Sequence, residues 1–229
     1  MKKTIQRVLA AVILFAMILS GGFSEVGKVH AEKQQGTTKR AIYVVFDNSG
    51  SMYGDGNKAW SQATYAMEVF AAMMNYESGD VMKVFPMHDI TTDGNTGSAT
   101  KSSMEIRGKD DIAQIHNMYT PKPGGTPYTQ VNNAAGELTK LLNAGSVDEG
   151  WLVVLTDFDN DIPASGLKAD LEGKAAANEN LYVQYLAIGT DVKNIPEGNA
   201  DKGLYAQKAG NTSEVVNELA EISNRIFKR

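Results

Sequence analysis

Phe46-Asp47-Asn48-Ser49-Gly50-Ser51-Met52 follows directly on the apolar run Ala41-Ile42-Tyr43-Val44-Val45. A carboxylate and two hydroxyls, Asp47, Ser49 and Ser51, therefore stand at alternate positions where a strand ends. Gly50 between the serines lets the backbone turn tightly. Small oxygen donors crowded on one loop suit a hard divalent cation such as Mg²⁺, Mn²⁺ or Ca²⁺. Three donors fill only part of a coordination shell, so the rest must come from elsewhere in the chain. A rival reading needs no ligand, because Asp and Ser also favour strand-to-helix turns and helix caps.

Other reactive chemistry is sparse. The chain has no Cys, hence no thiolate nucleophile and no disulfide. Beyond residue 31 the histidines are His88 and His116, neither in a zinc-ligand spacing, and both read as surface or half-buried side chains. There is no Gly-x-Ser-x-Gly, and the stretch from Gly50 to Lys58 lacks the Gly-Lys-Ser/Thr ending of a phosphate loop.

The elements that must hold these residues alternate between strand and helix patterns. Arg40–Phe46 reads as a strand apolar on both faces. Lys58–Asn75 carries Trp60, Ala63, Met67, Phe70, Ala71 and Met74 at helical spacing. Asp80–Pro86 reads as a second strand, His88–Lys101 as a loop, Ser102–Arg107 as a short edge strand and Asp110–Met118 as a short helix. A Pro/Gly loop, Thr120 to Pro127, leads into a helix over Pro127–Asn143 with Val131, Ala134, Leu138, Leu141 and Leu142 facing inward. Trp151–Leu155 is a second fully apolar strand, ending in Thr156-Asp157. Lys168–Ala177 reads as a helix, Leu181–Ile188 as a strand closed by Gly189, and Gly203–Gln207 as a weak last strand. Ser213–Phe227 closes the series as a helix with Val215, Leu219, Ile222 and Ile226 on one face. Trp60 and Trp151 read as packing anchors, and Met67, Met73, Met74 and Met82 as core filler.

This alternation predicts an α/β fold, a Rossmann-like doubly wound, mainly parallel sheet of about six strands flanked by helices. In such sheets ligands sit beyond the carboxyl ends of the strands, at the switch point. Asp47 and Asp157 follow the two most apolar strands, so both carboxylates are expected at one crevice.

Residues 1–31 read as an address. Lys2, Lys3 and Arg7 make a basic start, Val8–Leu19 is unbroken apolar sequence, and Val29-His30-Ala31 is a small-x-small cleavage site. A retained membrane anchor is the rival, but the apolar run is short against a span of about 20 residues. Residues 32–38 form a polar lead and 39–229 one domain. Beyond residue 31 the chain carries 18 basic and 26 acidic side chains, a formal charge of −8. That argues against nucleic acid or anionic lipid as a main partner, and no second stretch is apolar enough to span a membrane.

Asp47-x-Ser49-x-Ser51, then Thr126 in Gly124-Gly125-Thr126-Pro127, then Asp157 in Leu155-Thr156-Asp157, resemble in order and context the metal-ion-dependent adhesion site of the von Willebrand factor type A domain. The resemblance covers residues 39–229. It implies a divalent cation, most often Mg²⁺ or Mn²⁺ with Ca²⁺ also compatible, held by the hydroxyls of Ser49, Ser51 and Thr126 and, directly or through water, by Asp47 and Asp157. It implies a vacant position taken by an Asp or Glu of a protein partner, and an adhesion or interaction role in place of catalysis. In some members the Thr contact is coupled to a shift of the last helix. Gly124-Gly125 would permit the loop movement, and Ser213–Phe227 is the helix that would shift. Hydroxyls in place of carboxylates leave positive charge on the ion, which strengthens its grip on an incoming carboxylate.

One departure is Phe158 after Asp157, where the family commonly has Gly. Asp159 and Asp161 add carboxylates that read as a solvated loop, with a second cation site as the rival. Tyr119 and Tyr128 flank the Thr126 loop and suit either the partner face or the core. The enzyme alternative is a Mg²⁺-dependent haloacid-dehalogenase-like phosphatase, with Asp47 as nucleophile and Asp157 and Asp161 on the metal. Ser49 stands where that chemistry places its acid, so a leaving group would lack its proton donor. The expectation is a secreted or surface-associated, metal-dependent binding module.

Overall fold

The computed structural model describes residues 38–87, 103–107, 111, 114, 129–157, 164–189 and 195–227. Residues 1–37, and with them the leader and nearly all of the polar lead, lie outside the described residues, as do His88, His116, Tyr119, Gly124, Gly125, Thr126, Tyr128, Phe158, Asp159 and Asp161.

The strands are β1 (Arg40–Phe46), β2 (Val81–Pro86), β3 (Met104–Ile106), β4 (Glu149–Thr156), β5 (Leu181–Ile188) and β6 (Leu204–Ala209). The helices are α1 (Gly54–Met73), α2 (Thr129–Asn143), α3 (Ala164–Ala177) and α4 (Thr212–Phe227). They build a six-stranded sheet in the order β3-β2-β1-β4-β5-β6. β3 pairs antiparallel to β2, and every other pairing is parallel. The expected α/β, doubly wound sheet is what forms.

Boundaries differ from the sequence reading where local propensity competes with packing. α1 starts at Gly54, four residues before Lys58, because a 3₁₀ turn over Gly50–Tyr53 feeds straight into it. α3 starts at Ala164, and β6 runs on to Ala209, carried by parallel pairing with β5. Of the short helix expected over Asp110–Met118, Asp111 and Gln114 are described and helical.

The pleat sends alternate residues to opposite faces. Ile42, Val44 and Phe46 pack under α1 and α4, with Trp60, Met67, Phe70, Leu219 and Ile222. Ala41, Tyr43 and Val45 pack under α2 and α3, with Val131, Leu138 and Leu171. Helices on both sides are why the central strands read as continuous apolar runs. Trp60, Met67, Met74, Met82 and Trp151 are buried as expected, and Met73 is half-buried. At the outer edge Gly198 lies so close to β6 that a Cβ there would meet Ala206 N at 3.1 Å and Leu204 O at 3.2 Å. The backbone before Asn199 thus shields part of an edge that would otherwise invite pairing. Among the described residues no helix is long and apolar enough to cross a membrane.

Candidate metal centre

The sheet changes direction between β1 and β4. From β1 the chain builds outward through β2 and β3, then returns to β4 on the other flank and continues to β5 and β6. That is the switch point, where the carboxyl ends of neighbouring strands leave a crevice. Phe46 is in register with Leu155, and the Asp47 N–H donates to the Leu155 carbonyl at 2.8 Å. Asp47 and Asp157 therefore leave adjacent strands at the same end of the sheet.

Asp47 is fully buried, Ser49 almost so, and Ser51 is exposed. The set thus runs from the sheet outward to solvent. Asp47 Oδ1 accepts the Ser49 N–H at 2.7 Å, and Oδ2 accepts the Thr156 hydroxyl at 2.6 Å. A carboxylate has about four lone-pair sites, so each oxygen keeps capacity after these bonds. The turn reading is right for Asp47, whose side chain closes a local turn, but it does not explain Ser49. Ser49 occupies the cap position of the 3₁₀ turn with no side-chain cap hydrogen bond; its Oγ lies 3.1 Å from Ser51 Oγ. Neighbouring oxygens around a hexacoordinate ion with bonds of about 2.0–2.1 Å lie about 3 Å apart. The two hydroxyls are thus spaced as adjacent ligands of such an ion, and the hard oxygen set suits it. Among the described residues no group of three or more His, Cys, Asp and Glu is placed to hold a metal; what they offer a cation here is hydroxyls beside carboxylates.

Asp157 is half-buried. Gly189, which ends β5 at a φ of +127°, approaches it: a Cβ at Gly189 would lie 3.8 Å from the Asp157 Cβ. That backbone geometry is one other residues rarely adopt. The loop is fixed from below. Met52 is fully buried, Tyr53 stacks on Trp60 with centroids 5.0 Å apart, and Trp60 packs on Phe46 at 5.5 Å. Burial, and after it the charge of Asp47, raises the Tyr53 phenol well above its ordinary value.

Of the five residues expected from the sequence, Asp47, Ser49, Ser51 and Asp157 stand at the switch point, and Thr126 lies outside the described residues. Two participants were not assigned a role from sequence. Thr156 orients Asp47, and Asn48, fully buried, stands between Asp47 and Ser49. The signal for Thr156 was its place beside Asp157, but only the register with β1 aims it at Asp47.

No family model matches the chain, and no curated protein is similar enough in sequence to match. Solved structures do match. A von Willebrand factor type A protein from Catenulispora acidiphila is 14% identical, with a TM-score of 0.55, over 81% of this chain and 42% of that one. The pilus adhesin SpaC of Lactobacillus rhamnosus GG, in an open conformation, is 18% identical, with a TM-score of 0.51, over 86% and 31%. Proximal thread matrix protein 1 from the mussel byssus, with a zinc-occupied MIDAS motif, is 13% identical, with a TM-score of 0.50, over 82% and 46%. The chain spans less than half the length of each of these structures. At these identities the likeness is one of fold, and by that fold the chain is a von Willebrand factor type A-like domain.

Proposed function

We propose that this chain is an exported, metal-dependent protein-binding module. Asp47, Ser49, Ser51, Thr126 and Asp157 would hold Mg²⁺ or Mn²⁺, and the ion would take an Asp or Glu from a protein partner. A bound divalent cation supplies a Lewis-acidic contact for that carboxylate. The chain's own part is to aim oxygens and to keep them few in charge, since two carboxylates and three hydroxyls neutralise a dication without repelling an acidic ligand.

The observation that carries this reading is the pair of serine hydroxyls 3.1 Å apart beside a buried, doubly hydrogen-bonded Asp47 at the switch point. The mussel protein with its zinc-occupied MIDAS motif and the SpaC adhesin support it by analogy of fold. Residues 1–31 support export as a cleavable leader, which places the module outside the cell or at its surface. Binding is preferred to catalysis because Ser49, where a phosphatase needs an acid, is hydrogen-bonded to Ser51.

Calorimetric titration of Mg²⁺ and Mn²⁺ should show saturable heat for the wild type and none for Asp47→Ala. Equal heats in both would remove the metal centre. Capture of surface proteins should be lost with chelator. Mg²⁺-dependent hydrolysis of p-nitrophenyl phosphate that disappears in Asp47→Asn would favour the phosphatase instead.

A further inference from the structure

A recessed surface that Asp47, Ser49, Ser51 and Asp157 do not line lies where α2 crosses the edge formed by β2 and β3. It encloses about 320 Å³, at the small end of the range of about 300–1,000 Å³ for ligand pockets. Its cause is in the sequence of α2. Val131, Ala134 and Leu138 form the stripe that enters the core. Asn132, Asn133, Gly136, Glu137 and Lys140 recur three or four residues apart and line the recess. Gly136 is its dent: among the described residues a Cβ added there would meet nothing within 4 Å. Close packing therefore does not explain this glycine, in contrast to Gly150, where a Cβ would meet Leu142 at 3.0 Å.

The lining is polar, nearly balanced in charge and tied in place. Gln130 is buried, and its Oε1 accepts the Asn133 amide at 2.9 Å. Glu137 pairs with Lys83 of β2 at 2.7 Å, and Lys83 also lies over the Phe85 ring at 4.9 Å. Ser103 adds a hydroxyl and Phe85 an apolar wall. An anion site would need an excess of cations, and a metal site a cluster of carboxylates; neither is present in this lining. Amides and hydroxyls both donate and accept, as the hydroxyls of a sugar do. Side chains already held by one another lose little freedom on binding.

We propose that this groove over Gly136 is a binding subsite for a neutral, polyhydroxylated ligand, a sugar residue of a glycan. The subsite is independent of the cation. Phe85 pairs in register with Val45, two residues before Asp47, and lies on the α2 side of the sheet.

The test is saturation-transfer NMR on the full chain with methyl glycosides of glucose, mannose, galactose and N-acetylglucosamine, each with and without EDTA. At least one glycoside should receive saturation, equally in both conditions. Asn133→Ala, at an exposed position, should weaken binding about 5- to 10-fold, the effect of one lost hydrogen bond. Gly136→Leu should fill the dent and abolish binding while the circular dichroism spectrum stays unchanged. No transfer to any of the four overturns the proposal, as does transfer undiminished in either variant. Transfer that depends on cation would move the ligand to the metal centre and also overturn it. The EDTA arm keeps its failure distinct from failure of the metal reading.

Discussion

At the scale of single residues, Asp47 is the most constrained group of the candidate centre. It is fully buried, its backbone N–H is spent on β4, and each carboxylate oxygen accepts a hydrogen bond. Those bonds fix the direction of its remaining lone pairs. Thr156 is thus a positioning residue, since it touches Asp47 and is not among the expected ligands. Thr156→Val keeps the shape and removes the hydroxyl. Mn²⁺ affinity measured by calorimetry should fall about 10- to 100-fold, as for other residues that orient metal ligands, while the fold is kept. An unchanged affinity would mean that Asp47 is oriented by its Asx turn with Ser49 alone.

At the scale of elements, the site loop rests on an aromatic pillar that joins β1 to α1. Phe46, Trp60 and Tyr53 pack in sequence, and Met52 plugs the core beside them. The strand supplies one end of the pillar, the helix the middle and the 3₁₀ turn the top, so the turn cannot shift without unstacking a ring. Trp60→Ala should cost about 3–5 kcal/mol in chemical denaturation, the usual result of emptying a large buried site. It should also weaken cation binding, because the turn carrying Ser51 loses its support. On the same face, towards β6, α4 is held through polar groups as well as its apolar stripe. Buried Gln184 donates to Gln207 at 2.6 Å, Gln207 donates to Glu218 of α4, and Arg225 lies 4.1 Å from the Tyr205 ring centroid. Helical periodicity placed α4, but no local pattern could say that Gln184, inside an apolar strand, would find its partner on the neighbouring strand.

Across the whole molecule, stability should depend on pH through the buried Tyr43 and the half-buried Tyr76. Tyr43 and Tyr76 have pKa values raised from 10.0 to about 12. Burial is the larger cause in both. The charges of Glu137 and Glu105 add to it for Tyr43, and those of Asp111 and Asp80 for Tyr76. In the unfolded chain these phenols ionise near 10, so above that pH the unfolded state sheds protons that the folded state keeps. The stability they contribute is complete below pH 10 and is lost as pH rises through 12. The urea midpoint should therefore fall between pH 10 and 12, and Tyr43→Phe or Tyr76→Phe should flatten part of that fall. A midpoint that falls equally in the variants would assign the loss to other groups.

The sequence by itself determined the order of strands and helices, their inward faces and the residue types at the strand ends. Apolar periodicity is local, and the buried faces of α1, α2 and α4 were legible residue by residue. So were Asp47, Ser49, Ser51 and Asp157 as oxygen donors following apolar strands. The boundaries of α1, α3 and β6 were less legible, because the turn and pairings that extend them are not propensities of the residues involved. Only the tertiary structure decided which strands are neighbours across the sheet and the register of β1 on β4, which brings Thr156 onto Asp47 across 109 positions of chain. It also decided that Gly136 opens a groove while Gly150 closes a contact. Register and packing are set by hydrogen bonds and excluded volume between distant segments, and no window of the chain contains both partners.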